Sequence, residues 1–113
     1  STLAGLRKKI GTQRILVILE SSTRTMRSGI HRETLGPSLH NADIVWLMRP
    51  KQDWGITQIV ETTSVPIVIC DSITDIIKKI VKEAKRSDHI VIMSNSGFDN
   101  IHEKLAFASD NRE

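Results

Sequence analysis

RILVILE, residues 14–20, decides how the rest of the chain is read. Five apolar residues, Ile15 to Leu19, run without a polar interruption between Arg14 and Glu20. A half-buried strand alternates apolar with polar, whereas an unbroken Ile/Val/Leu run this short marks a strand covered on both faces, as in a parallel sheet. Three further runs repeat the pattern: DIVWLM (43–48), PIVIC (66–70) and HIVIMS (89–94). Pro66 opens its run, where a missing backbone N–H costs a strand least.

The segments between these runs carry helical signals. In TLAGLRKKI (2–10), Leu3, Leu6 and Ile10 share one face, and Gly11 follows as a C-terminal stop. Ser72 reads as the N-cap of ITDIIKKIVKEAKR (73–86), with Asp75 three residues on; Ile73, Ile76, Ile77, Ile80, Val81 and Ala84 form its apolar stripe. Weaker helical patterns lie at about 30–41, 55–62 and 100–108. Helices alternating with strands predict a single α/β domain over residues 1–113, a Rossmann-like doubly wound sheet, mainly parallel, with helices on both faces. Crossovers are right-handed, and for four strands the economical order is 3-2-1-4. The order then reverses between the first strand and the fourth, and open α/β sheets bind ligands at that point, beyond the carboxyl ends of the strands.

Composition narrows the classes of function. The chain has 113 residues, 39% of them hydrophobic, 26% charged and 4% aromatic, with a net charge of +3. Its basic residues interleave with acidic ones and so make neither the basic stripe of a duplex binder nor the aromatic platforms of a single-strand binder. No apolar run approaches the roughly 20 residues of a membrane span. The expectation is a soluble protein with neither nucleic-acid nor membrane partners. The lone cysteine, Cys70, sits within an apolar run and is expected to be a buried structural thiol, which suits a reducing cytoplasm. His31, His40, His89 and His102 lack metal-ligand spacing, so no metal site is expected. Trp46 reads as core, and Trp54 as a loop residue packing on the sheet edge or on a neighbouring domain. There is neither a Gly-x-x-x-x-Gly-Lys-Ser/Thr loop for ATP nor a Gly-x-Gly-x-x-Gly turn for a dinucleotide.

Two polar loops would face the point of reversal: SSTRTMRSG (21–29) and NSGFDN (95–100). In the first, Ser22, Thr23, Arg24, Thr25 and Arg27 combine hydroxyls with two-pronged, permanently charged guanidinium groups, a set suited to a carboxylate or phosphate. The bland reading is a solvated loop whose Ser or Thr caps a helix. In the second, the backbone amides of Ser94, Asn95, Ser96, Gly97 and Phe98 can converge on an anion or peptide group, with Gly97 permitting close approach. A plain turn with Asp99 or Asn100 capping the next helix fits equally well. These ten residues are the candidate substrate-binding set; no catalytic residue is assigned.

VIMSNSGFDNIHEKL (91–105) resembles a stretch of the Mur ligase family that runs Val-Met-Ser-Asn-Gly-Gly-Phe-Gly-Gly-Ile-His-x-Lys-Leu. TLAGLRKKIG followed by RILVILE is similar to the start of that family's third domain, and Thr25, Met26 and Gly29 fit its first loop. Asp43, Trp54 and the Asp88-His89 pair also match. The resemblance covers nearly the whole chain. It departs where Ser96 and Asp99 replace glycines, and where Glu20-Ser21-Ser22-Thr23-Arg24-Thr25-Met26 stands for Glu-Pro-Arg-Ser-Asn-Thr-Met, with no proline and the arginine two places later.

The resemblance implies the C-terminal, substrate-binding module of a cytoplasmic, ATP-dependent, ADP-forming amide-bond ligase of peptidoglycan recycling. That enzyme joins UDP-N-acetylmuramate to the tripeptide L-alanyl-γ-D-glutamyl-meso-diaminopimelate. It further implies that ATP and Mg²⁺ are held mainly by a central domain and the sugar nucleotide by an N-terminal one, both outside this chain, so the domain alone is expected to be inactive. Its task would be to orient the amine that attacks an acyl phosphate. A different class of function, a free-standing Rossmann-like module binding a nucleotide or nucleic acid, predicts steeply salt-dependent binding instead.

Overall fold

A computed structural model of the chain describes residues 2–20, 36–37, 39–49 and 56–93. Among them α1 spans Thr2–Ile10, β1 Ile15–Glu20, β2 Ile44–Met48, α2 Ile56–Thr62, β3 Ile67–Cys70, α3 Ile73–Glu83 and β4 His89–Met93. The strands form one sheet in the order β3-β2-β1-β4, and every pairing is parallel. That is the fold and the order the apolar runs predict.

Alternation of side chains across each strand divides the core in two. Ile15, Val17, Leu19, Val45 and Leu47 point to one face and pack with Leu3 of α1, Ile59 of α2 and Leu39. Leu16, Ile18 and Trp46 point to the other and pack with Ile73, Ile76 and Ile80 of α3. Ile15 to Ile18 have no exposed surface at all and Leu19 almost none, which is why their run shows no polar alternation. Each such side chain, fully buried, contributes about 1.5–3 kcal/mol of transfer free energy. The crossover carrying α2 lies on the first face as the order runs β2 to β3, and that carrying α3 lies on the second as the chain returns to β4. Right-handed connections require this switch.

Local chemistry sets the ends of the elements. Gly11 has φ +66° and donates to the Arg7 carbonyl at 3.0 Å, so α1 ends in a left-handed cap that glycine adopts without steric cost. The Ser72 hydroxyl accepts from the Asp75 N–H at 3.0 Å, capping α3 as its sequence predicts.

Two elements end earlier than their patterns imply. The helical segment expected for α3 runs to Arg86 and its apolar stripe to Ala84, but the helix stops at Glu83 with Ala84 extended. There the Arg14 guanidinium takes the Glu83 carbonyl at 3.1 Å and the Asp88 carboxylate takes the Lys85 N–H at 2.7 Å, so side chains replace the next helical turn. The pattern at about 30–41 falls mostly outside the described residues. Among its described residues Gly36 and Pro37 are helical and Leu39 to Asn41 form a turn, in which Leu39 donates to Gly36 at 3.1 Å and His40 to Pro37 at 3.1 Å, both tight i to i+3 bonds. Gly36 lies against α2, where a Cβ would collide with the Thr62 side chain.

Candidate functional site

The two edges of the sheet differ in chemistry. At the amino ends of the strands, two arginines each make four hydrogen bonds within the fold. Arg7 donates to the carbonyls of Gly11, Gln13 and Asn41 at 2.8, 2.7 and 2.8 Å and to the Asp43 carboxylate at 2.7 Å; the same carboxylate oxygen accepts the Ile15 N–H at 2.7 Å. Arg14 grips Asp88 through both oxygens, at 3.1 and 2.6 Å, and Glu83 through its carboxylate at 3.0 Å and its carbonyl. The Asp88 side chain is only 3% exposed, and the guanidinium beside it holds its carboxyl below the usual carboxylate range. Gln13 and His89 add a 2.7 Å hydrogen bond. These contacts fasten α1, α3 and three strands together and spend most of the guanidinium donors within the fold.

At the carboxyl ends the arrangement is open. Leu19 pairs with Met93 and Glu20 with Met48, so the tips of β4, β1 and β2 stand in a row at strand spacings of about 4.8 Å. The chain leaves β1 toward residue 21 and β4 toward residue 94 from adjacent tips, at the point where the strand order reverses. The two loops singled out from the sequence therefore start side by side. Their ten candidate residues, Ser22, Thr23, Arg24, Thr25, Arg27, Ser94, Asn95, Ser96, Gly97 and Phe98, lie outside the described residues, as does Trp54.

Farther along this edge, Arg49 follows β2 and Asp71 follows β3. The Arg49 N–H donates to the Cys70 carbonyl at 2.8 Å, and its Nε donates to an Asp71 carboxylate oxygen at 2.7 Å. Sequence reading missed this pair, because the residues are 22 apart and meet only through strand order. The available signal was positional: each is the first charged residue after a buried run. Cys70 is buried as expected, and burial pushes its thiol above the ordinary range. Trp46, 2% exposed, is core. Among the described residues no group of three or more His, Cys, Asp or Glu could hold a metal ion. Nor is any helix among them long and apolar enough to cross a membrane.

No protein-family model matches the chain. It is 40% identical over 107 residues to the UDP-N-acetylmuramate–L-alanyl-γ-D-glutamyl-meso-2,6-diaminoheptandioate ligase of Escherichia coli K12, an alignment covering 93% of this chain and 23% of that enzyme. A solved domain ascribed to the corresponding ligase of Haemophilus ducreyi 35000HP shares 35% identity with a TM-score of 0.74, over 96% of this chain and 78% of that one. The chain belongs to the murein peptide ligase family. The solved murein peptide ligase of Psychrobacter arcticus 273-4 superposes with a TM-score of 0.82 and 35% identity, over 99% of this chain but 25% of the ligase. This chain thus spans about a quarter of the length of the complete murein peptide ligases it matches.

Proposed function

We propose that the chain is the C-terminal, substrate-binding module of a murein peptide ligase, which couples ATP hydrolysis to an amide bond between UDP-N-acetylmuramate and L-alanyl-γ-D-glutamyl-meso-diaminopimelate in peptidoglycan recycling. The observation that carries the reading is the pairing of Leu19 with Met93. It starts a hydroxyl- and guanidinium-bearing loop and an amide-rich, glycine-containing loop from neighbouring tips at the ligand-binding edge of the sheet. In this reading Ser22, Thr23, Arg24, Thr25 and Arg27 engage the carboxylates of the peptide, and the backbone at Ser94 to Phe98 engages its amide groups.

The chain's own chemistry is orientation. Charged hydrogen bonds hold the peptide so that its amine meets the activated acyl group within reacting distance, converting an encounter into a near-unimolecular step. The residues described here do not fit a nucleotide–metal centre: they lack a cluster of three metal ligands, and the sequence lacks a phosphate-binding glycine loop. ATP and Mg²⁺ belong in this reading to a central domain, the sugar nucleotide to an N-terminal one, and the domain alone is inactive. A cytoplasmic setting goes with the same reading and is supported by the unpaired thiol of Cys70.

The test is steady-state kinetics of the complete ligase carrying Arg24→Ala. A lost charged hydrogen bond costs about 1.5–3 kcal/mol, roughly 10- to 150-fold. The expected loss of that size appears in KM for tripeptide or in kcat, with the KM for UDP-N-acetylmuramate unchanged. Wild-type kinetics toward tripeptide would remove Arg24 from the site.

A further inference from the structure

Arg49 differs from the other arginines that the structure describes in contact with carboxylates. Arg7 and Arg14 spend their terminal amino groups on carbonyls and carboxylates within the fold. Arg49 makes one side-chain bond, from Nε to Asp71, and among the described residues its two terminal amino groups have no partner. Its side chain is 55% exposed and that of Asp71 is 79% exposed, so the pair contributes little to stability. The bond holds the guanidinium by one edge, and the other edge, a two-pronged donor matched to a carboxylate, meets no partner among the described residues.

The position of the pair supplies a ligand chemistry. Arg49 follows the tip of β2, next to β1, on the edge where the strand order reverses one position away. From β4 to β2 is two strand spacings, roughly 10 Å. An extended tripeptide spans about 10 Å, before the diaminopimelate side chain is added. A peptide laid across the tips of β4 and β1 therefore reaches the tip of β2. In a γ-D-glutamyl linkage the α-carboxylate stays free, and diaminopimelate brings two more, so the ligand carries carboxylates along its whole length.

We propose that Arg49 is a carboxylate-binding residue of this edge, oriented by Asp71 and presenting its terminal amino groups as a fork to one carboxylate of the peptide substrate. This rests on the peptide-binding reading above and extends the site from the β1 and β4 tips to those of β2 and β3. Asp71 is a positioning residue, acting only through Arg49.

The experiment compares kcat/KM of the complete ligase for the tripeptide and for its three monoamides, in wild type, Arg49→Ala, Arg49→Lys and Asp71→Asn. Both side chains are exposed, so unchanged melting temperatures are expected and separate a binding defect from misfolding. Arg49→Ala is expected to lose about 10- to 100-fold toward the tripeptide, mainly through KM, and to lose nothing further with one particular monoamide. Arg49→Lys and Asp71→Asn should fall between, because each keeps the charge and loses the oriented fork. Two results overturn the proposal while leaving the peptide-binding reading intact: Arg49→Ala with wild-type kcat/KM and every monoamide penalty preserved, or equal losses for the tripeptide and all three monoamides. A wild-type enzyme that does not ligate the tripeptide overturns both.

Discussion

Replacing Arg14 with alanine removes the clasp that closes the amino edge. Four hydrogen bonds are lost, two to the Asp88 carboxylate and two to Glu83. The Glu83 carboxylate is 41% exposed and rehydrates, so its share is small. The Asp88 side chain, 3% exposed, keeps only the 2.7 Å bond from the Lys85 N–H and becomes a buried charge without a counter-ion. Breaking a buried pair costs about 3–5 kcal/mol, and the partial exposure of the Arg14 head group puts the expected loss near the lower end, about 3 kcal/mol. At roughly 4 °C per kcal/mol for a domain of this size, the melting temperature falls by about 12 °C. The sign of the pH dependence follows from Asp88. The hydrogen bond from Arg14 holds its folded pKa below the ordinary aspartate value, so its contribution is complete above that ordinary value and disappears as pH falls through the folded pKa. The gap between wild type and Arg14→Ala in urea unfolding should therefore be full at pH 7 and shrink below about pH 4. A loss under about 1 kcal/mol, or a gap equal at pH 3 and pH 7, would refute the reasoning.

Three smaller perturbations probe other joints. Ser72→Ala removes the α3 cap and should cost about 1 kcal/mol in the same unfolding assay, with Ser72→Asp close to wild type. Gly36→Ala drives a methyl group into Thr62 and should cost about 1–3 kcal/mol by overpacking; a neutral result would show that the 36–37 segment can move away from α2. The buried Cys70 thiol, raised above its ordinary pKa, should react with a disulfide reagent at pH 8 only as fast as the protein opens. Labelling at the rate of a free thiol would contradict its burial.

The parts of the fold readable from sequence are those set by neighbours in the chain. The apolar runs, the Gly11 stop and the Ser72 cap each depend on residues within a few positions, and strand order followed from the handedness of crossovers. The early end of α3 was not readable, because its cause, Arg14 meeting Glu83 and Asp88, joins residues 69 and 74 positions apart. The same holds for Arg7 with Asp43, and for Arg49 with Asp71. Of the candidate site, the adjacency of the two strand tips was legible because topology alone determines it. The Arg49 fork was not, because an exposed arginine before a proline looks like any solvated loop until its neighbours across the sheet are known.

The most direct test is an amide chemical-shift titration of the ¹⁵N-labelled chain with L-alanyl-γ-D-glutamyl-meso-diaminopimelate. Shifts should concentrate at residues 21–27 and 94–98 and at the strand ends Leu19 and Met93, leaving Arg7, Gln13 and Asp88 unmoved. Shifts gathered at the Arg7 and Arg14 edge instead would contradict a peptide site at the carboxyl ends of the strands.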